Sequence, residues 1–427
     1  MRAILIILFL SLVLHSENFD FFDKDEDQTR ESTTKEQNAT HKEDGNSPFK
    51  TNIELIHKSD LEGEDDSQNI TFNQTFSDAR LHIDYDVSSD LDDYRVNIKE
   101  AYIKSKLSSN IFFDIGRINI REGISLGYNA TDYFKGGGIN FDSLATSDRQ
   151  GNRLGSLLAQ GTLFSDNYTL KLIYSPKINT DPDAFWSDKE HIGLGLDTTN
   201  YTHRYGIDLD VKLFKSLSSS FALHNNEEGW HFGSRLSYAE EGWILYSENS
   251  IKKSYSSVSK AISELEFSDT LKENFDIDKK YIYQGSLGAS YTTENNTAIS
   301  LEYIYNSGGL DEDGWNRYFE LSSISAGLER QLSAVRKYHK VNEEMMGKHT
   351  LFGRISINDI FLNTDFSFFS FVDLSDGSSM SRATVKYDYN EDIIFEASIT
   401  KMFGEDQSEY GSLDDDTIAT AKVTYHF

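Results

Sequence analysis

Residues 204–213 place Tyr205, Ile207, Leu209, Val211 and Leu213 on one side of an extended chain and Gly206, Asp208, Asp210 and Lys212 on the other. A period of two marks a strand with one apolar and one polar face. The pattern recurs along the chain. Over 281–292, Tyr281, Tyr283, Leu287, Ala289 and Tyr291 oppose Gln284, Ser286, Gly288, Ser290 and Thr292. Over 230–238, Trp230, Phe232, Leu236 and Tyr238 oppose His231, Gly233, Arg235 and Ser237, and 297–305 and 383–389 read the same way. The polar faces carry full charges of both signs. Several runs reach ~10–13 residues, longer than the ~5–6 typical of soluble sheets and long enough to cross a bilayer at a tilt. Proline removes a ladder donor, and the chain has only three, against 28 Phe and 23 Tyr. The predicted fold class is all-β: a transmembrane antiparallel up-and-down β-barrel.

Strands are expected at 50–57, 69–76, 79–87, 93–106, 109–118, 155–164, 167–176, 202–214, 217–226, 229–239, 241–253, 279–293, 296–306, 348–358, 360–374, 378–389, 391–402 and 415–427. That is about 18, an even number as single-chain barrels require, with 16 as the fallback. Splitting 69–87 at Ser77-Asp78 secures the parity. Short links fall at Ser165–Asp166, Lys215–Ser216, Glu240, Glu294–Asn295 and Asp359, and long ones at 119–154, 177–201, 254–278, 307–347 and 403–414. Within 307–347, Trp315, Phe319, Leu321, Ile324, Leu328, Leu332 and Val335 recur at helical spacing, which predicts a loop helix or helical pair at the barrel mouth or inside it.

Met1-Arg2 followed by an apolar run over 3–14 and a break at His15, Ser16 and Glu17 reads as a secretory signal peptide, residues 1–16. Residues 17–47 are acidic and aperiodic and are read as a disordered leader; the barrel occupies 48–427. The formal charge of -29 disfavours a nucleic-acid partner. No cysteine is present and the histidines lack metal-ligand spacing, so no cofactor or metal is expected. No nucleophile elbow marks a catalytic serine.

Two segments carry resemblances. Residues 418–427, IATAKVTYHF, alternate up to a terminal Phe427 with Tyr425 two places before it. This resembles the C-terminal signal of bacterial outer-membrane proteins, which implies recognition by the barrel-assembly machinery. Residues 116–138, GRINIREGISLGYNATDYFKGGG, resemble a segment of porin-like outer-membrane families through Gly116, Arg117, Gly123, Asn129, Thr131 and Asp132. Glu122 stands where those families commonly have Trp. The resemblance implies a long segment folded toward the lumen, with Arg117, Arg121, Asp132, Lys135, Arg149 and Arg153 as constriction candidates.

On the strands, the inward bases are read as Arg95, Lys99, Lys171, Lys212, Arg235, Arg354, Arg382, Lys386 and Lys422. The inward acids are read as Asp114, Asp208, Asp210, Glu302, Asp388 and Glu396, giving a mixed, mildly basic wall. Asp208, Asp210, Lys212, Arg235, Arg354 and Arg382 join the pore-lining candidates. The functional expectation is a Gram-negative outer-membrane porin-like channel for passive diffusion of small hydrophilic solutes, with lipid and lipopolysaccharide around it and a homo-oligomer open. The alternatives are a plugged, non-conducting barrel with an adhesive or envelope-structural role, and a barrel hydrolase.

Overall fold

The computed structural model describes residues 48–61, 66–89, 94–138, 153–178, 195–214, 216–264, 268–413 and 417–427, all within the compact unit Pro48–Phe427. The signal peptide and acidic leader expected over 1–47, and Arg149, lie outside them.

Alternation is realised as β1 (Phe49–Asp60), β2 (Asp66–Ser77), β3 (Leu81–Ser89), β4 (Tyr94–Ser108), β5 (Ile111–Ile118), β6 (Ser156–Phe164), β7 (Tyr168–Ser175), β8 (Arg204–Phe214) and β9 (Leu217–Asn226). There follow β10 (Gly229–Glu240), β11 (Trp243–Ser254), β12 (Lys280–Thr292), β13 (Thr297–Asn306), β14 (His349–Phe361), β15 (Thr364–Asp373), β16 (Ser379–Asp388), β17 (Ile393–Phe403) and β18 (Thr417–His426). Each pairs antiparallel with the next, and β1 pairs with β18 from Asn52↔His426 to Asp60↔Ile418, so the 18-stranded sheet closes on itself. Closure leaves no unpaired edge, the condition for a sheet to sit in lipid. Among the described residues no helix is long and apolar enough to cross a membrane, so any crossing belongs to the strands.

The division of 69–87 at Ser77-Asp78 holds: β2 ends at Ser77, and Asp78 accepts from the Arg80 and Leu81 amides to turn the chain. Two turns shift. The link read at Glu240 is Glu241-Gly242, both at positive φ (47° and 82°). The link read at Asp359 moves to Leu362-Asn363, because Asp359, at φ 54°, takes up a register irregularity between Ile357 and Phe361 and lets β14 run on.

Outward positions form the apolar belt: Leu55, Ile115, Leu172, Ile207, Leu245, Leu287, Leu301 and Ile399 are exposed although large and aliphatic. Exposed aromatics edge it at one end (Tyr205, Trp230, Tyr281, Tyr303) and the other (Tyr168, Tyr238, Trp243, Tyr387, Tyr425). This is the girdle pattern of a transmembrane barrel.

Long links gather at one end. They carry α1 (Leu196–Thr199), α2 (Ser257–Glu264), α3 (Asp269–Asn274), α4 (Glu312–Ile324) and α5 (Ala326–Asn342). The helical pair expected over 307–347 is α4 and α5, split where Ser325 caps α5 by accepting from the Leu328 amide. Trp315, Leu321, Leu328, Leu332 and Val335 are buried with Val258, Ile262 and Leu271 of α2 and α3, and Phe319 packs against that cluster. Ile324 departs from the expected stripe. At the end of α4 it points to solvent, 64% exposed.

Candidate functional site

The chain after β5 turns into the barrel instead of crossing its rim. Gly123 makes the bend, at φ +106° and with the Asn129 side chain standing where a Cβ would sit. Beyond it, two wall glutamates hold the loop by its backbone. Glu248 of β11 accepts from the Ile124, Ser125 and Thr131 amides at 2.7, 3.2 and 2.7 Å and from the Thr131 hydroxyl at 2.9 Å. Glu302 of β13 accepts from the Leu126 and Gly127 amides and from the Tyr246 hydroxyl. Both carboxylates are 0% exposed. A buried carboxylate is tolerable only when its lone pairs are filled, and here loop amides fill them.

The wall under the loop is small. Ser220, Ala222, Gly233, Ser250 and Ser286 point inward from β9 to β12. At Gly233 a Cβ would stand 2.7 Å from the Tyr133 hydroxyl and 2.9 Å from the Thr131 methyl. The loop's apolar side packs Ile118, Ile120 and Phe134 on Leu158 and Ile173, and Tyr128 and Ala130 on Ile304 and Phe352.

Charge locks the rest. Glu122 takes Arg235 at 2.8 Å and Lys171 at 3.2 Å. Arg153 reaches Asp132 at 2.8 Å and Glu343 at 3.5 Å. Burial lifts the Asp132 carboxyl to about 6 even though Arg153 opposes the shift. The Lys135 ammonium lies 4.0 Å from the Tyr128 ring centroid and donates to the Asn129 carbonyl, and burial lowers its pKa. Glu344, just past α5, accepts from Tyr128 and Gln284. Burial would raise its pKa, but Lys252 and Lys135 hold it well below the usual carboxylate range. Asp132, Lys135, Glu228, Lys252, Gln284 and Glu344 line a cavity of about 80 Å³, room for a few waters and no more.

A solved structure shares this architecture. OccAB1 of Acinetobacter baumannii matches with a TM-score of 0.51 at 11% identity, over 89% of this chain and 95% of its own. OccK11 (OpdR) and the outer membrane protein OprD, both of Pseudomonas aeruginosa, give TM-scores of 0.49 and 0.48 at 10% identity. They cover 89% of this chain and 96% and 94% of theirs. No protein-family model matches the chain, and neither does any curated protein. The chain has the fold of the porin-like outer-membrane barrels.

Against that fold the sequence candidates separate. Arg117 is 4% exposed and donates to the Gly155 carbonyl, and Asp132, Lys135 and Arg153 are buried, so these residues brace the loop rather than line open water. Arg121 is exposed on the loop. Asp208 is spent on His224 at 3.0 Å and Arg235 on Glu122, while Asp210 and Lys212 are exposed to the lumen below the loop. Arg354 is half-buried on the inner wall, and Arg382, 8% exposed, donates to Ser398.

Residue reading missed Glu248, although it alternates between Tyr246 and Ser250 on the inner face. It also passed over the inward acids Glu54, Asp84, Asp86 and Glu100. With them, and with Lys58 and Lys252, acids and bases on the wall come near parity, so the basic excess disappears. Asp60, beyond the strand expected over 50–57, is the buried inward end of β1.

Proposed function

We propose that the chain is an outer-membrane channel through which small hydrophilic solutes diffuse. The observation that carries this reading is the uneven filling of the lumen. On β9 to β13 the inward Ser220, Ala222, His224, Glu248, Gln284 and Glu302 are buried beneath the loop. On the opposite arc the inward Ser367, Thr384, Thr420, Lys58, Thr71 and Asn73 remain partly exposed among the described residues. Water-accessible hydroxyls, amides and charges along one continuous wall suit a wet passage beside the loop. The loop narrows this passage, with Arg121, Asp210 and Lys212 as its exposed charges and Arg354 half-buried beside them.

Planar-bilayer recording of protein lacking residues 1–47 tests the reading. Discrete conductance steps are expected. A barrel that shifts on gels upon boiling yet passes no current would favour the plugged alternative, to which the helical cluster over the long-link end lends support. Tyr425 and Phe427, outward on the closing strand and 4.7 Å apart ring to ring, are the groups we assign to the assembly machinery. Outer-leaflet lipid is the partner proposed for the apolar belt, and a second copy of the chain for any oligomer.

A further inference from the structure

A water-filled lumen is normally walled by polar side chains, so inward apolar residues need an account. Register puts Phe352, Phe371, Met380 and Met402 side by side on four adjacent strands, β14 to β17, all on the inner face. One step nearer the short-turn end the inner row reads Arg354, Phe369, Arg382, Thr400 and Ile418. Below that come Ser356, Ser367, Thr384, Ser398 and Thr420, and then Asp365, Lys386, Glu396 and Lys422. Along the barrel axis the wall is thus apolar at the long-link end, mixed where Arg354 and Arg382 flank Phe369, then hydroxyl, then paired charge.

Part of the apolar row packs the inward loop, since Phe352 is 4% exposed and clusters with Tyr128, Ala130 and Ile304. Packing does not account for the rest. Phe369 and Phe371 touch that cluster yet stay partly exposed, and Met380 and Met402 lie outside it and are partly exposed too. These side chains point into the barrel, so the surface they expose faces the passage. With strands about 4.8 Å apart, a row across four strands is ~14 Å wide, broader than one six-membered ring. Met and Phe are well suited to such a face: a polarizable thioether and a ring edge both attract π-systems.

We propose that this shelf is a binding site for the aromatic ring of a passing solute, so that the channel favours ring-bearing small molecules over equally charged ones without a ring. The inference rests on the channel reading above and names its substrate class. Recognition is by the ring: Arg354 and Arg382 in the row beneath the shelf, and the mixed-sign belt further down, act alike on two solutes of the same charge.

Swelling of liposomes holding the full barrel, with L-serine and L-phenylalanine as the permeants, tests it. Both are zwitterions, so charge cancels from the comparison. A plain aqueous pore passes the smaller serine faster, whereas the shelf predicts that phenylalanine equals or exceeds it. Met380→Ser with Met402→Ser, both outside the loop-packing cluster, should lower the phenylalanine rate about three-fold and leave serine unchanged. Phe371→Ser is a second variant, with the boiling-dependent gel shift verifying that each barrel is intact. Serine entry with phenylalanine slower than serine in the unmodified protein overturns the shelf and spares the channel, as does an equal loss of both rates in the variants. No serine entry through an intact barrel overturns the channel and the shelf together.

Discussion

At the scale of single residues the lumen is organised by Glu248. Its two oxygens receive three amides and a hydroxyl from a loop more than a hundred positions away. Hydrogen bonds to a charged acceptor contribute roughly 1.5–3 kcal/mol each, and amides left unmatched in a buried place cost more than the bond gained. Glu248→Ala should therefore loosen residues 124–131, leaving Glu302 to hold Leu126 and Gly127. Single-channel current is expected to rise and become noisier, and an unchanged trace would show that the loop is held some other way. Asp132 adds a pH dependence. Its carboxyl titrates near 6 in the fold against 3.8 when unburied, with Arg153, Glu343 and Lys135 around it. Between those values the folded loop holds a proton that the freed loop gives up. Its attachment is thus favoured at low pH and weakens as pH rises through about 6. Open-channel noise should be smaller at pH 5 than at pH 7.5, and Asp132→Asn should flatten that difference.

At the scale of elements, period two located all the strands because every one has lipid on one side and either loop or water on the other. The contrast is strong even where the polar face is glycine and serine. Local sequence could not show which strands the loop would cover. That depends on contacts between residues such as Thr131 and Glu248, which are neighbours only after the barrel closes. One trace was present: Ser220, Ala222, Gly233, Ser250 and Ser286, inward on β9 to β12, are small, and small residues on a polar face leave space for something else to occupy. Turn positions were less legible where a left-handed residue inside a strand, Asp359, mimics a turn. Ile324 was misassigned because the helical stripe runs through a break at Ser325 that apolar spacing does not register. Gly233 is the place to test the loop seat. Gly233→Val puts a branched side chain where Tyr133 and Thr131 stand, so the loop and not the strand must yield. The variant should still shift on gels upon boiling but conduct more than the unmodified barrel. Loss of the folded form would show that the loop is built into barrel stability.

Over the whole molecule, the formal charge of -29 and the balanced wall belong to different regions, and ionic strength separates them. Inside, opposite signs alternate at short range: Lys99 lies 3.4 Å from Asp86, Lys171 3.2 Å from Glu122 and Lys386 3.1 Å from Asp388. Such pairs produce a strong transverse field and little net potential along the axis. At the long-link rim, Asp66, Glu312, Asp313, Glu405 and Asp406 are exposed. Unpaired rim charge concentrates cations before they enter, but only within a Debye length, about 10 Å at 0.1 M and 3 Å at 1 M salt. The channel should therefore be weakly cation-selective in dilute salt and close to non-selective in concentrated salt. Reversal potentials across matched salt gradients at the two strengths read this directly. Neutralising Glu405 and Asp406 together should reduce the dilute-salt preference and leave the concentrated-salt value where it was. A cation preference that persisted at 1 M would place the selecting charge inside, on the wall, where screening by the bulk does not reach.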